Sequence, residues 1–288
     1  MIRRSSLVCA ILLINPFVCL AFQPQDVPEL VKCPACKKEF EVFRGSFLLV
    51  ACDNRSARTH HHAQQYQPSE GDLIFFNSGT LAKQLAFCLT CSGGFSQPTH
   101  VGVVVKDRDG ELKLLQALDP IFKGPVHRRE GYEPGRVCMT PNILDHLKQY
   151  PGSVWIRAYH DTMTPAQSAS LTAWARRQAG KPYAVQKLPL PTLGLPVQTL
   201  HLLGPARTEA DSWHCSGLAT ASLIIMGHFD HWDLRPGFTD PEDLFSDMLV
   251  DLSPVWKSPV RWTPRVYRLR NIETHREQRP VTKRVQAR

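Results

Sequence analysis

The hydrophobic pattern of the chain predicts a few strands grouped around one hairpin. DLIFF (Asp72–Phe76) is a short run typical of a buried strand, and SVWIRAY (Ser153–Tyr159) is another. Between them, the apolar runs HVGVVV and ELKLLQAL flank the sequence KDRDG. Its Asp109-Gly110 dipeptide is a strong turn signal, so the two runs are predicted to be the arms of a β-hairpin.

Helical signals follow these strands. The first predicted helix runs over 164–180, with Pro165 at its first position and Gln167 at its third. The second runs over 215–227, and a short third helix begins near Asp240. Strands around a hairpin together with separate helices predict an α+β fold, in which an antiparallel sheet packs against helices.

The N-terminus has the pattern of a secretory signal peptide over residues 1–21. Two arginines precede an apolar run over 7–20, and Cys19 and Ala21 occupy the −3 and −1 positions of a cleavage site. Pro16 interrupts the run, which favours a cleaved signal over a retained single-helix anchor. We therefore expect an exported protein, located in the periplasm, in the cell envelope or outside the cell.

Composition is that of a globular protein. Among 288 residues, 43% are hydrophobic and 21% charged, and no internal run reaches the ~18 apolar residues of a membrane-spanning helix. The formal net charge is +8. The segment 257–288, with ten Lys and Arg against two Glu, by itself carries a charge of +8. We expect a solvated basic tail on a nearly neutral domain, and no binding of nucleic acid, which exported proteins rarely meet.

These features divide the chain into four parts. The signal peptide is followed by a cysteine-containing N-terminal module and polar linker over 22–65, a domain over 66–256, and the basic C-terminal tail over 257–288. In the N-terminal module, the sequence Cys33-Pro-Ala-Cys36, followed by basic residues and an aromatic, resembles one knuckle of a zinc ribbon.

Cys215 is the first candidate for chemistry, because it directly precedes the apolar stretch of a predicted helix. A helix that begins there directs unpaired backbone N–H groups and the positive end of its dipole towards the sulfur, which favours the thiolate. The same amides could bind the oxyanion of a tetrahedral intermediate. The alternative is a buried cysteine that only packs against the core, which is the more common role of a single cysteine.

A thiol nucleophile needs a base, and His100 and His214 are the candidates. His214 adjoins Cys215, but neighbouring side chains at a helix start usually point apart, so it is the poorer partner. His100 opens the strand HVGVVV, and a strand histidine facing a thiol at a helix start is the arrangement of papain-like enzymes. The alternative for His100 is a histidine at the sheet edge without a chemical role.

The residue that orients His100 depends on the hairpin loop. An odd number of loop residues puts Gln116 on the sheet face of His100, whereas an even number puts Asp119 there. Either oxygen could accept a hydrogen bond from the imidazole and select its tautomer. The residues themselves leave both possibilities open.

Five short motifs, in the order EGDLIFFNSG, THVGVVV, LLQAL, AGKPY and WHCSGLA, resemble the circularly permuted branch of the NlpC superfamily of papain-like cysteine hydrolases. The YiiX/YebB-like group is the most similar, and in that branch the histidine strand precedes the cysteine helix. The resemblance covers about 70–256. It implies a papain-like fold, Cys215 as nucleophile, His100 as base and Gln116 rather than Asp119 as the orienting residue, with no cofactor required for catalysis.

Two positions depart from the pattern of that family. The family usually has Glu at the position of Gln116, and an amide cannot stabilise an imidazolium by charge. It also has Glu in a CSEL-like motif where this chain has Gly217, a change that we expect to alter the substrate site. Gly71 and Asp72 of GDLIF are assigned a structural role, because glycine turns the chain and the carboxylate bonds nearby backbone amides.

Seven cysteines follow the signal peptide, and six remain if Cys215 is a free nucleophile. An even number in an exported protein is typical of disulfides. Alternatively, two C-x-x-C pairs could form a structural zinc site, with Cys33, Cys36, Cys88 and Cys91 as ligands. His60, His61 and His62 are interpreted as part of the solvated linker.

The sequence therefore predicts an exported thiol hydrolase that cleaves an amide or ester bond, and the family resemblance implies cell-wall peptides as substrates. Acyl transfer or thioester hydrolysis on lipids is the alternative, because permuted relatives include acyltransferases with the same dyad. A rival from another class is a non-catalytic exported module that binds a wall polymer. We expect a monomer, with a peptide or acyl substrate as its partner.

Overall fold

A computed structural model describes residues 28–32, 37–49, 63–77, 97–120, 133–184, 207–230, 233–247 and 250–269. The predicted signal peptide, histidines 60–62 and the four cysteines of the predicted zinc site lie outside these ranges. Within them, no group of three or more metal-ligating side chains is found. None of the helices in these ranges is both long enough and apolar enough to cross a membrane.

Nine strands form one antiparallel sheet in the described part of the chain. They are β1 (Glu29–Lys32), β2 (Glu39–Leu49), β3 (Ala63–Gln65), β4 (Leu73–Asn77), β5 (His100–Lys106), β6 (Leu112–Ala117), β7 (Val137–Thr140), β8 (Ser153–Arg157) and β9 (Val260–Leu269). Their order is β1-β2-β9-β8-β4-β5-β6-β7, and β3 pairs with β2. The sheet and the helices that cover it confirm the predicted α+β class.

The three predicted helices are present, and the structure adds a helix at Ile143–Gln149 that was not predicted from the sequence. In chain order, the helices are α1 (Ile143–Gln149), α2 (Pro165–Gln178), α3 (Cys215–Ile225) and α4 (Pro241–Ser246), with a 3₁₀ turn at Pro236–Phe238. At the start of α2, the Thr164 hydroxyl accepts a hydrogen bond from the backbone N–H of Gln167, whose side chain in turn accepts one from the N–H of Thr164. Gly180 follows α2 with a φ of 81°, in the left-handed region that glycine adopts at helix ends.

Both faces of the sheet are covered, which explains why DLIFF is an unbroken apolar run. Leu73 and Phe75 point to the side of α2 and α3, whereas Ile74 and Phe76 point to the side of α1. On the α3 side the core includes Val101, Val103, Leu115, Leu171, Trp174, Leu218 and Leu223. On the α1 side it includes Val104, Leu114, Ile143, Leu147, Ile156 and Trp262.

The predicted structural role of GDLIF is confirmed. Gly71 has a φ of +92°, a conformation that L side chains rarely adopt. The Asp72 carboxylate accepts hydrogen bonds of 2.9 Å from the backbone N–H groups of Ser69 and Tyr159 and from the hydroxyl of Tyr66. These contacts hold the chain before β4 against the end of β8.

The sheet extends into the predicted N-terminal module and the predicted basic tail. β9 begins three residues into the tail, and it pairs with β8 on one side and with β2 on the other. The indole N–H of Trp262 donates to the Ser46 hydroxyl at 2.8 Å, across the β2–β9 pair. The expectation of a solvated tail is therefore wrong for Val260–Leu269, because this segment supplies a strand with a buried tryptophan.

Candidate active site

The hairpin places Gln116 on the sheet face of His100. The loop between β5 and β6, 107–111, has an odd number of residues, and Val103 lies opposite Leu115 in the pair. Continued by one residue, this register puts Gln116 opposite Gly102. Because side chains two residues apart on a strand lie on the same face, Gln116 shares the face of His100. The open question of loop parity is thus decided in favour of Gln116 as the neighbour of His100.

His100, Gln116 and Thr140 form a chain of hydrogen bonds across three strands. The Nε2 atom of His100 lies 2.9 Å from Oε1 of Gln116, and Nε2 of Gln116 donates to the Thr140 hydroxyl at 2.9 Å. Gln116 and Thr140 are both buried. With its N–H₂ end directed at Thr140, Gln116 accepts a hydrogen bond through Oε1 from the N–H group at Nε2 of a neutral imidazole, which leaves the lone pair of the ring on Nδ1.

Cys215 is the first residue of α3, and its thiol contacts the strand that carries His100. The Sγ atom accepts hydrogen bonds from the backbone N–H groups of Val101 and Ser216. Val101 directly follows His100 and lies beyond the point where β5 pairing with β6 ends, at Val103 and Leu115. The structure therefore brings the thiol of α3 to the backbone of β5 next to His100, whereas the ring of His100 contacts Phe76 on the α1 side of the sheet.

The thiol of Cys215 is nevertheless protonated at neutral pH. Burial raises its pKa to about 11, and the two backbone N–H groups, which act in the opposite direction, do not offset that effect. The carboxylates of Asp240 and Asp119 raise the pKa further. The expectation of a thiolate stabilised by the helix start is therefore wrong, because desolvation of the sulfur outweighs the local dipoles.

His214 has a packing role in this structure. Its ring is buried and donates a hydrogen bond to the backbone carbonyl of Thr239. Its Nε2 atom has no hydrogen-bond partner among the described residues, and burial lowers the pKa of the imidazole. The ring is therefore neutral and packs on the first turn of α3.

Gly217 has no room for a side chain. A Cβ atom at this position would lie 2.5 Å from the carbonyl oxygen of Pro236 and 2.7 Å from Cε1 of His214. A glutamate, which the family resemblance would place here, does not fit beside His214. The ring of His214 fills the space that a side chain at Gly217 would enter.

The AGKPY segment fixes the chain immediately before Cys215. The N–H of Trp213 donates to the carbonyl of Pro182 at 3.0 Å, and the carbonyl of Trp213 accepts from Ala184 at 2.8 Å. On its other side the segment bonds to Val137 of β7, whose N–H donates to the carbonyl of Lys181 at 2.8 Å. This segment thus joins the start of α3 to the strand that carries Thr140.

Two contributors to the site were missed in the sequence: the hydroxyl of Thr140 and the backbone amide of Val101. An apolar pattern at VCMT could have indicated the strand β7. Its register against β6 decides which of its residues meets Gln116, and no residue pattern specifies that register.

Comparisons with known proteins add one likeness. No family model and no curated protein matches the chain. A similar solved structure is the crystal structure of the metalloprotein YiiX from Escherichia coli O157:H7, at 18% identity and a TM-score of 0.35, covering 57% of this chain and 69% of that one.

Proposed function

We propose that the protein is an exported thiol hydrolase that cleaves an amide or ester bond at Cys215, with cell-wall peptides as substrates. The observation that carries this proposal is the hydrogen bond to the helix-start thiol of Cys215 from the backbone of β5, immediately after His100. Nε2 of His100 is hydrogen-bonded to Oε1 of Gln116 at 2.9 Å. The thiol of Cys215 accepts a hydrogen bond from the backbone N–H of Val101, the next residue of the same strand.

Because the thiol is neutral at rest, a base must remove its proton during the attack. In the proposed mechanism, Nδ1 of His100 takes the S–H proton while the sulfur electron pair forms a bond to the carbonyl carbon. The carbonyl π electrons move to the oxygen, where backbone amides at the start of α3 stabilise the negative charge. Collapse of this intermediate breaks the C–N or C–O bond, and the leaving group takes the proton from His100.

The second half of the reaction regenerates the thiol. His100 takes a proton from water as that water attacks the thioester carbonyl, and the C–S bond breaks to release the acid. The sulfur then recovers its proton from the imidazolium. In acyl transfer, an amine or alcohol replaces water in this step, and the identity of the acceptor separates the two activities.

Product analysis with matched variants tests this proposal. Purified mature protein is incubated with wall peptides and, separately, with phospholipid, and the products are identified by mass spectrometry. We expect cleavage by the wild type and by C138A, which removes another buried free cysteine, and no cleavage by C215A or H100A. An acylated amine or alcohol instead of the free acid would identify a transferase.

A non-catalytic module remains the rival, and the burial and high pKa of the Cys215 thiol favour it. It predicts no product on either substrate class from any of these variants. Products that persist in C215A would also contradict the proposal, because bond cleavage would then not depend on the sulfur of Cys215.

A further inference from the structure

Two arginines lie directly opposite each other on one exposed face of the sheet. In the antiparallel pair of β2 and β9, Arg44 is the partner of Arg265, and both are exposed. Like charges directly opposite each other in a sheet repel and destabilise the strand pair. Arg44 forms an ion pair with the carboxylate of Glu29, which is itself exposed. The three side chains together carry a net positive charge at the surface.

Exposed apolar side chains lie on the same face as these arginines. Tyr267 is two residues from Arg265 on β9 and is 41% exposed. Val31 of β1 lies opposite Phe40 of β2, four residues from Arg44, and is 39% exposed. Side chains two or four residues apart on a strand share a face. We call this surface, formed by Arg44, Arg265, Tyr267 and Val31, the arginine face.

The chain continues from the arginine face into a basic segment. β9 ends at Leu269, which lies opposite Phe40 in the β2–β9 register. The sequence 270–288 that follows has six Lys and Arg against two Glu, a net charge of +4. Positive charge is therefore concentrated in this part of the chain, both on the sheet and in the sequence that leaves it.

We propose that the arginine face is a docking surface for a membrane that contains anionic phospholipids. Guanidinium groups bind phosphate through parallel N–H bonds, and basic residues near a membrane are attracted to acidic lipids. Tyrosine is enriched at the boundary between headgroups and acyl chains, because its ring is apolar and its hydroxyl is hydrated there. A soluble polyphosphate would contact the arginines and leave Val31 and Tyr267 exposed to water, so their combination favours a membrane.

The arginine face is separate from the region of the Cys215 thiol. That thiol contacts β5, and the strands β8 and β4 lie between β9 and β5 in the sheet. The docking surface therefore goes beyond the proposed function and does not depend on it.

Sedimentation with lipid vesicles tests this proposal. The mature protein is mixed with phosphatidylcholine vesicles, either pure or with about 30% phosphatidylglycerol, at low and at high NaCl concentration. We expect binding to the anionic vesicles alone, and high salt should weaken it. R44Q/R265Q should lower the affinity about tenfold, whereas R44K/R265K, which keeps both charges, should retain it within about twofold.

A matched control separates the arginine face from overall charge. R108Q/R176Q removes the same charge from two exposed arginines outside β2 and β9, and it should bind anionic vesicles like the wild type. Equal losses in R108Q/R176Q and R44Q/R265Q would overturn the proposal, because net charge alone would then explain the binding. Failure of the wild type to bind anionic vesicles would overturn it as well.

The Y267S variant separates a membrane from a soluble polyanion as the partner. It removes the exposed ring and keeps both arginines, so binding to anionic vesicles should weaken about fivefold, while binding to inorganic polyphosphate should not change. If Y267S binds vesicles like the wild type and R44Q/R265Q loses binding to polyphosphate, the face recognises a soluble polyanion and the membrane proposal is wrong. Urea unfolding of each variant verifies that the compared proteins are folded.

Discussion

Cys215 illustrates how two local effects on one residue can oppose each other. Its position at the start of α3 and the N–H groups of Val101 and Ser216 favour the thiolate, yet burial raises the pKa to about 11. A buried neutral thiol is inert unless a base acts on it during the reaction. The chemistry proposed for this residue therefore depends on His100 and not on the helix start alone.

A prediction at the scale of one residue concerns Gly217. Alanine normally stabilises a helix by up to about 1 kcal/mol relative to glycine. Here the added methyl group would meet the carbonyl of Pro236 and the ring of His214, so we expect G217A to lower the free energy of unfolding by about 1–3 kcal/mol. Urea unfolding measures the change, and a stabilised G217A would contradict the packing described for α3.

At the scale of elements, Asp72 connects the segment before β4 to the end of β8. Its carboxylate accepts from Tyr66, Ser69 and Tyr159, and no amide side chain can accept all three bonds. The indole N–H of Trp256 adds a bond of 2.8 Å to the carbonyl of Gly71. This turn is thus held by side chains from distant parts of the sequence.

We expect D72N to destabilise the protein by about 1–3 kcal/mol, because the amide N–H₂ group would face a backbone or hydroxyl donor. Urea unfolding at pH 7.5 measures the loss. Y66F serves as the matched control, since it removes one donor and leaves the carboxylate with two, and its cost should be smaller. A D72N protein as stable as the wild type would show that these bonds do not hold the turn.

The pH dependence of stability carries a second signature of Asp72. Burial raises the pKa of its carboxyl from 3.8 to about 6 in the folded protein. Between these values the native state binds a proton that the unfolded state does not, so the contribution of Asp72 to stability falls as pH rises from about 4 to 6.

The difference in unfolding free energy between the wild type and D72N should therefore increase as pH falls from 6 to 4, by roughly 3 kcal/mol at most. Subtracting the unfolding free energy of D72N from that of the wild type cancels the contributions of the other carboxyl groups, which both proteins share. A difference that stays constant over this range would contradict the raised pKa.

At the scale of the whole molecule, one sheet joins segments from both ends of the described chain. β2 and β9 are adjacent and antiparallel, and β9 also pairs with β8 on its other side. The sheet therefore depends on the segment Val260–Leu269, although this segment lies within a stretch of strongly basic composition.

Shortened chains test this dependence. Removal of 260–288 deletes β9, exposes the edge of β8 and removes Trp262 from the core, so we expect a chain that fails to fold cooperatively. Removal of 270–288 alone leaves every described strand pair intact and should preserve the unfolding transition. Circular dichroism during thermal unfolding distinguishes the two chains, and a cooperative transition without β9 would contradict its structural role.

The parts of the fold that the sequence predicts are those set by local signals. The capping box of Thr164, the turn at Gly110 and the apolar run before Asn77 each depend on neighbouring residues. The pairing of β2 with β9 was missed because it joins segments more than 200 residues apart. Alternation in EFEVF was a usable strand signal, but no local pattern identifies its partner.

The same division applies to the candidate site. Gln116 could be placed beside His100 once the parity of the hairpin loop was known, because strand side chains alternate. The desolvation of Cys215 could not be predicted, since it is produced by packing of α3 against β5. The contact of Thr140 with Gln116 likewise depends on the register of β7.

The central claim is that His100 acts as the base for the buried thiol of Cys215, and the pH profile of alkylation tests it most directly. Alkylation of Cys215 is followed by peptide mapping in the wild type and in H100A, with the Cys138 peptide as internal reference. The wild-type rate should already be high at pH 7, because His100 removes the proton of the thiol as the sulfur is alkylated. In H100A it should be about 100-fold lower at pH 7 and should rise steadily towards pH 11. Identical profiles in the two proteins, both rising towards pH 11, would contradict the claim.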